Sequence, residues 1–469
     1  MDAASLTPTL RVLVSGVLLC AALPAQRGAD LVATDARMAG RGGSDVAIAE
    51  DLSGLLSNPA GLVNITQEWR IDMTARAFLL GVDYEDPFNT GGVESEELAV
   101  APYISVSWDP DPGDAGRPGD VRFGLGLQHI AGFRSDLDLG TQDFPPPLQT
   151  RRRVEYLYTG VHLGAGWQLS EDVSVGATLS LTYSDLEVME PLQLDIFQVQ
   201  GMSPLGIPWG QLLNNMFGIE SLRIEGLFDS KPTFGASATL GFQWKPSDVF
   251  SLGFAYRTPG FQEDYEGDVS VDISRIFGEP DPVTFPDGFA VDYDGKIVDF
   301  DYPQMFSIGA AWKPSEEVRL SCELRWTNWS ATHDKIRIQL RNGNNPGFNA
   351  FIGANRLDVT QDWGWRDQIA AMVGVEWAFA DGWVLRAGGG AWNSPVEKSA
   401  AIPNAPAFSE YMATLGIGYS ASGWSLDLAW IHVFESTVRV DESTISTNLD
   451  GSRQSVAVDS VLVSFSIWF

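Results

Sequence analysis

Six arginines, Arg70, Arg76, Arg257, Arg319, Arg325 and Arg386, stand in stretches of alternating polarity at positions opposite in parity to the apolar residues, and Glu323 and Glu376 share their parity. In a strand, equal parity means one face, so these charges converge on the polar side of a sheet. Guanidiniums and carboxylates enclosed together normally pair with each other. One left over can grip a substrate carboxylate through two parallel hydrogen bonds, and Arg325 and Arg386 are the candidates for that role. A second chemistry is apolar. Residues 186–232 read as a loop, yet they carry Trp209, Leu212, Leu213, Met216 and Phe217 after Pro208, a spacing that predicts a short amphipathic helix over 209–220. Such apolar surface either packs on itself or caps the mouth of the barrel, or, because exposed apolar patches mark binding surfaces, these five residues form a capture site for a hydrophobic small molecule. Catalysis finds little support. His129, His162, His333 and His432 are accompanied by no Gly-x-Ser-x-Gly, His-Glu-x-x-His or phosphate-binding glycine loop, so the chain is expected to be no enzyme and to use no cofactor or metal. Acidic residues crowd 83–97 and 263–301; clustered carboxylates there are either solvated loop charge or a place for hard cations.

The elements that must position these residues are strands. From Phe469 backward, Ile467, Phe465, Val463 and Val461 alternate with Trp468, Ser466, Ser464, Leu462 and Ser460, which is a strand with one greasy and one mostly polar face. Fourteen such segments follow one another, the first over 68–81 and the last over 456–469. Trp108, Trp167, Trp244, Trp312, Trp377 and Tyr419 each stand just before a turn, and a ring of aromatics at one height is the girdle of a membrane interface. A second set, Tyr183, Tyr256, Trp326, Trp329, Trp392, Trp430 and Phe434, marks the other interface. Strands of about ten residues suffice to cross hydrocarbon at a tilt. The fold class is therefore all-β: a transmembrane antiparallel β-barrel of about 14 strands over 68–469, with short turns on one side and long loops over 186–232, 258–302 and 331–364 on the other.

Ahead of the barrel, residues 1–25 read as a secretory signal peptide: Arg11, an apolar run from Val12 to Leu23, and Leu23-Pro24-Ala25 before Gln26. Past the signal only Cys322 remains, so no internal disulfide is expected. The formal net charge of −31 excludes nucleic acid as a partner. Residues 26–67 do not alternate and are rich in Gly and Ala, running through Asp51 into Asn58-Pro59-Ala60-Gly61-Leu62. Such a segment between a signal and a first strand resembles the plug of the FadL family of outer-membrane transporters for long-chain fatty acids and hydrophobic compounds, and the strand number and terminal Phe are similar too. The resemblance implies a monomeric bacterial outer-membrane protein among outer-membrane lipids, passing long-chain fatty acids, alkanes or aromatic hydrocarbons passively through loop capture, an apolar pocket, and a gate at Asn58, Pro59, Ala60 and Gly61. The alternative reading is a general or substrate-specific porin.

Overall fold

Alternation governs burial along every membrane strand. In the last one Val461, Val463, Phe465 and Ile467 face outward, while Ser460, Leu462, Ser464 and Ser466 are buried. The greasy face is thus the outer wall, which is the arrangement that hydrocarbon around a barrel demands. A computed structural model describes residues 27–112, 116–141, 148–218, 221–272 and 290–469; the expected signal peptide, and Ile273, Ile276, Phe277, Phe285 and Phe289 of the acidic fourth loop, lie outside them.

The described residues form β1 (Trp69–Glu85), β2 (Val93–Trp108), β3 (Val121–Thr141), β4 (Leu148–Gln168), β5 (Val173–Asp195), β6 (Ser221–Ser230), β7 (Thr233–Ser247), β8 (Phe250–Arg257), β9 (Phe261–Gln262), β10 (Tyr265–Asp272), β11 (Ala290–Val298), β12 (Met305–Trp312), β13 (Val318–Thr327), β14 (Lys335–Arg341), β15 (Leu357–Asp362), β16 (Gln368–Ala380), β17 (Trp383–Trp392), β18 (Tyr411–Ala421), β19 (Trp424–Val440) and β20 (Ser452–Trp468). Fourteen of them close a ring of antiparallel neighbours, β1-β2-β3-β4-β5-β7-β8-β12-β13-β16-β17-β18-β19-β20 and back to β1. Closure leaves the wall no free edge, as lipid requires. At the turn side Trp69, Trp167, Trp244, Trp312, Trp377, Trp383 and Trp424 are 37–51% exposed on the outer wall.

The long loops are not irregular. β5 runs on past the ring and pairs with β6, and the order β6-β10-β11-β14-β15 extends one side of the wall outward. Val269, Val271, Val291, Tyr293, Ile336, Ile338 and Leu340 are buried on its inner face, and Asp268, Asp292 and Asp294 alternate with them on the solvent side. Two aromatics expected in the outer girdle face inward instead. Trp392 shares the parity of Arg386 and is 5% exposed, and Trp329 lies past the end of β13, fully buried at the start of a short helix, α4 (Ser330–His333).

Inside the ring run residues 27–65. They contain α1 (Ala36–Gly40), against β17 to β20, α2 (Gly54–Ser57), and a 3-10 turn, Pro59–Asn64, against β3, β4, β5 and β7. The wall makes room with glycine: a Cβ on Gly253 would fall on the Val46 carbonyl, and one on Gly241 on the Asn58 side chain.

Candidate functional site

Asn58 holds the lumen segment to the wall. Its extended backbone precedes the 3-10 turn, its Oδ1 accepts from Ala60 N at 3.2 Å, and its Nδ2 donates to Val46 O at 2.6 Å and to Phe242 O on β7 at 3.0 Å. Pro59 starts the turn, Ser174 of β5 donates to Ala60 O at 3.0 Å, and a Cβ on Gly61 would collide with Ala49. Asn58, Pro59 and Ala60 thus touch the wall, Pro59 against Gly176, while Gly61 packs within the segment against Ala49.

Neither arginine assigned to a substrate carboxylate stands free. Arg325 pairs with Glu323 at 2.6 Å and reaches Asp30 at 3.6 Å. Arg386 is held between Glu376 and Asp427, each at 2.7 Å. Those acids also bind the lumen segment: Glu376 pairs with Arg41 at 3.3 Å, Asp427 with Arg37 at 2.9 Å, and Glu323 accepts from the amides of Asp45 and Val46 at 2.9 and 3.0 Å. Arg319 bridges Glu376 and Glu50. Arg37, Arg41, Arg319, Arg325 and Arg386 each have a counterion supplied by this chain, which is what makes enclosing them tolerable. A cargo carboxylate at Arg325 or Arg386 has to displace one of these partners.

The expected capture helix is α3 (Trp209–Phe217), opened by Pro208 and closed by Gly218 in the left-handed region at φ 66°. It is shorter than 209–220, because that glycine terminates it. Its apolar residues divide. Leu213 is buried, Leu212 and Trp209 are half-buried, and Met216 is 63% exposed; Phe217 is the last helical residue, its side chain outside the described part. Trp209 packs on Phe351 of α5 (Pro346–Ile352), ring centroids 5.9 Å apart. Met216, like Phe197, Met202 and Leu205 of the same loop, is more than half exposed.

Beneath the loops lies an apolar chamber that the extended sheet encloses, lined by Leu186, Val188, Phe228, Ile297, Ile338 and Trp363 among others, with a cavity of about 50 Å³. An engineered apolar cavity of ~150 Å³ takes up benzene, so a molecule of that size would fit here only as walls shift. Its floor is aromatic and escaped the sequence reading. Phe300 meets Trp363 at 6.2 Å and His333 at 4.6 Å; Tyr158 stacks on Tyr302 at 5.0 Å; Trp329 meets Tyr302 at 5.9 Å and Trp365 at 5.1 Å. The signal was present in doubled aromatics at i and i+2, Tyr156/Tyr158, Phe300/Tyr302 and Trp363/Trp365, which put pairs of rings on one face. Tyr302 donates to Asp30 at 2.7 Å, so floor and lumen segment touch.

Beside that contact the wall parts. β1 pairs with β2 along its length, and β3 with β4 from end to end apart from a register shift between His129 and Ala131. Among the described residues β2 pairs with β3 only from Ile104–Leu127 to Trp108–Phe123. Beyond those five pairs the segment's Asp30 bridges Ala131, and Leu31 packs with Phe78, Ala99, Ala101 and Tyr103.

Among family models, the chain matches that of the outer membrane protein transport proteins (OMPP1/FadL/TodX) over residues 17–467. No curated protein matches it by sequence. Among solved structures it is similar to the Pseudomonas putida toluene transporter TodX, with 19% identity, TM-score 0.71, and coverage of 94% of this chain and 99% of that one. Similar too are the Ralstonia pickettii toluene transporter TbuX, at 15% identity, TM-score 0.67 and coverage of 94% and 99%, and a Pseudomonas aeruginosa FadL homologue, at 17%, 0.66 and coverage of 94% and 98%.

Proposed function

Because the chain belongs to the OMPP1/FadL/TodX family of outer membrane transport proteins, whose members are transport channels and not enzymes, we propose that it carries long-chain fatty acids or other hydrophobic compounds inward across the outer membrane by passive diffusion. The observation that carries this reading is the succession of an apolar chamber, an aromatic floor, and a parted wall beside a lumen segment, along one side of the barrel. Met216 and its exposed neighbours collect cargo, with Trp209, Leu212, Leu213 and Phe217 forming the helix that presents them. Each Å² of apolar surface removed from water favours capture by roughly 25 cal/mol. Cargo then enters the chamber and slides over Tyr158, Tyr302 and Trp329, whose faces accept either an alkyl chain or an aromatic ring. Release follows when the segment shifts and cargo leaves between β2 and β3 into the lipid. Residues 26–67 act as the plug, and Asn58, Pro59, Ala60 and Gly61 are its gate. Arg325 and Arg386 serve a carboxylated cargo only by exchanging partners, so uncharged cargo meets the lower barrier. One chain suffices for this route, and a monomer among outer-membrane lipids performs it.

Equilibrium binding of a labelled long-chain fatty acid and of a labelled monoaromatic hydrocarbon to detergent-purified protein tests the proposal, wild type beside Val188→Trp, which fills the chamber without adding charge. Saturable binding weakened about tenfold, roughly 1.4 kcal/mol, is expected. Absence of saturable binding of either compound to the folded barrel, or indifference to the substitution, would sink it.

A further inference from the structure

Below the aromatic floor a cavity of about 40 Å³ lies between the lumen segment and the wall. Thr239 and Arg257, directly opposed on β7 and β8, and His129, at the register shift of β3, line it. All three are at least nine-tenths buried. Arg257 Nε and Nη1, Thr239 Oγ1 and both ring nitrogens of His129 have no hydrogen-bond partner in the protein. The rest of the Arg257 guanidinium is engaged weakly: Nη2 donates to Leu56 O at 3.5 Å, and the group lies over the Tyr302 ring at 5.7 Å. Neither of these neighbours is an anion. The nearby carboxylates are committed elsewhere, Asp30 to Arg27, Arg325 and the Tyr302 hydroxyl, and Glu323 to Arg325 and two backbone amides. Three guanidiniums, Arg27, Arg257 and Arg325, thus share two carboxylates, Asp30 and Glu323, and the cluster carries one positive charge in excess. A buried guanidinium with one long hydrogen bond and no carboxylate of its own is unfavourable.

We propose that this cavity is an anion site, in which Arg257 Nε and Nη1, Thr239 Oγ1 and the His129 ring hold one small monovalent anion of halide or formate size. The volume exceeds the 10–15 Å³ of this measure that one water needs and suits one small anionic group. Leu56, Ile130, Ala255 and Met305 line part of the remainder, together with the hydroxyls of Ser53, Ser57 and Ser307, Arg325, and Asp30, whose carboxylate is already paired with Arg27 and Arg325; away from bulk water every charge interaction inside it is strengthened. The anion neutralises the cluster and joins β3, β7, β8 and the lumen segment at one point. Its chemistry is shared by a free ion and by the carboxylate end of an amphiphilic cargo, and the site stands whichever of the two fills it.

The test uses the full mature chain in detergent, exchanged into gluconate at constant ionic strength. The unfolding midpoint is followed as chloride, then formate, is titrated in, and crystals soaked in bromide are measured for anomalous scattering. A saturable rise of the midpoint is expected in the wild type, weakened in Thr239→Val and lost in Arg257→Gln, with a bromide peak at hydrogen-bond distance from Arg257. Displacement of bromide by sodium laurate but not by dodecane assigns the site to a cargo carboxylate; persistence assigns it to the free ion. No bromide peak there, or equal rises in wild type and Arg257→Gln, overturns the proposal. Should Arg257→Gln not fold, the wild-type bromide map decides alone.

Discussion

At the scale of single residues, the charges that were readable by parity turn out to be fasteners. Removing Glu323 leaves Arg325 with only the more distant Asp30 and the Ser307 hydroxyl and strands two backbone amides of the lumen segment, and breaking a buried pair costs about 3–5 kcal/mol. Glu323→Ala should therefore release residues 27–46 to fast hydrogen exchange while the outer wall stays protected. Asn58→Ala loses three neutral hydrogen bonds and should produce a smaller loosening around Pro59–Asn64, read by the same exchange. His333, outside the membrane strands, is buried against Phe300, Trp329 and Trp365 with only the Thr332 hydroxyl on Nδ1 at 2.8 Å. Burial disfavours its charged form and lowers its pKa from 6.5 to about 3. The unfolded chain then binds the extra proton between those values, so stability falls as pH drops from 6.5 toward 3. His333→Phe should flatten that part of the pH dependence of thermal unfolding. What parity could not supply was partnership: Arg41 and Glu376 lie 335 residues apart, and only the closed ring brings them together.

At the scale of elements, α3 separates two roles that its sequence runs together. Met216→Asp should lower cargo binding with little change in unfolding midpoint, because the side chain is in water. Leu213→Asp should lower the midpoint by several degrees, because it buries a charge. Equal effects of the two on stability would mean that the helix has no free face. The fourteen membrane strands were legible because lipid outside and polar groups inside impose strict alternation and turn-border tryptophans. The six outer strands alternate equally well, as Val291, Tyr293 and Ile297 in β11 show, but Asp292 and Asp294 between them read as loop acid. The aromatic floor was hidden for the opposite reason. Trp329 and Trp392 sit where girdle residues belong in sequence, and only their facing distinguishes them.

At the scale of the whole molecule, the lumen is crossed by packed protein, so transport and ion conduction should separate. Reconstituted wild-type barrel should pass hydrophobic cargo while showing little conductance in a planar bilayer, and Gly253→Val, which sets a side chain against Val46, should raise conductance by displacing the segment. A wild type that conducts like an open pore would favour a water-filled channel instead. The seam between β1 and β20, paired from Arg70–Trp468 to Glu85–Arg453, joins the two ends of the strand order around that segment. Gly253, Gly241 and Gly176, each with the segment's backbone or Asn58 where a Cβ would stand, leave no clearance for it to be threaded in afterward. Order of assembly is thereby fixed: residues 27–65 must be seated in an open, curling sheet before the ring shuts. A barrel refolded without them should accept the same stretch as a separate peptide only when the peptide is present during refolding, and should refuse it once closed.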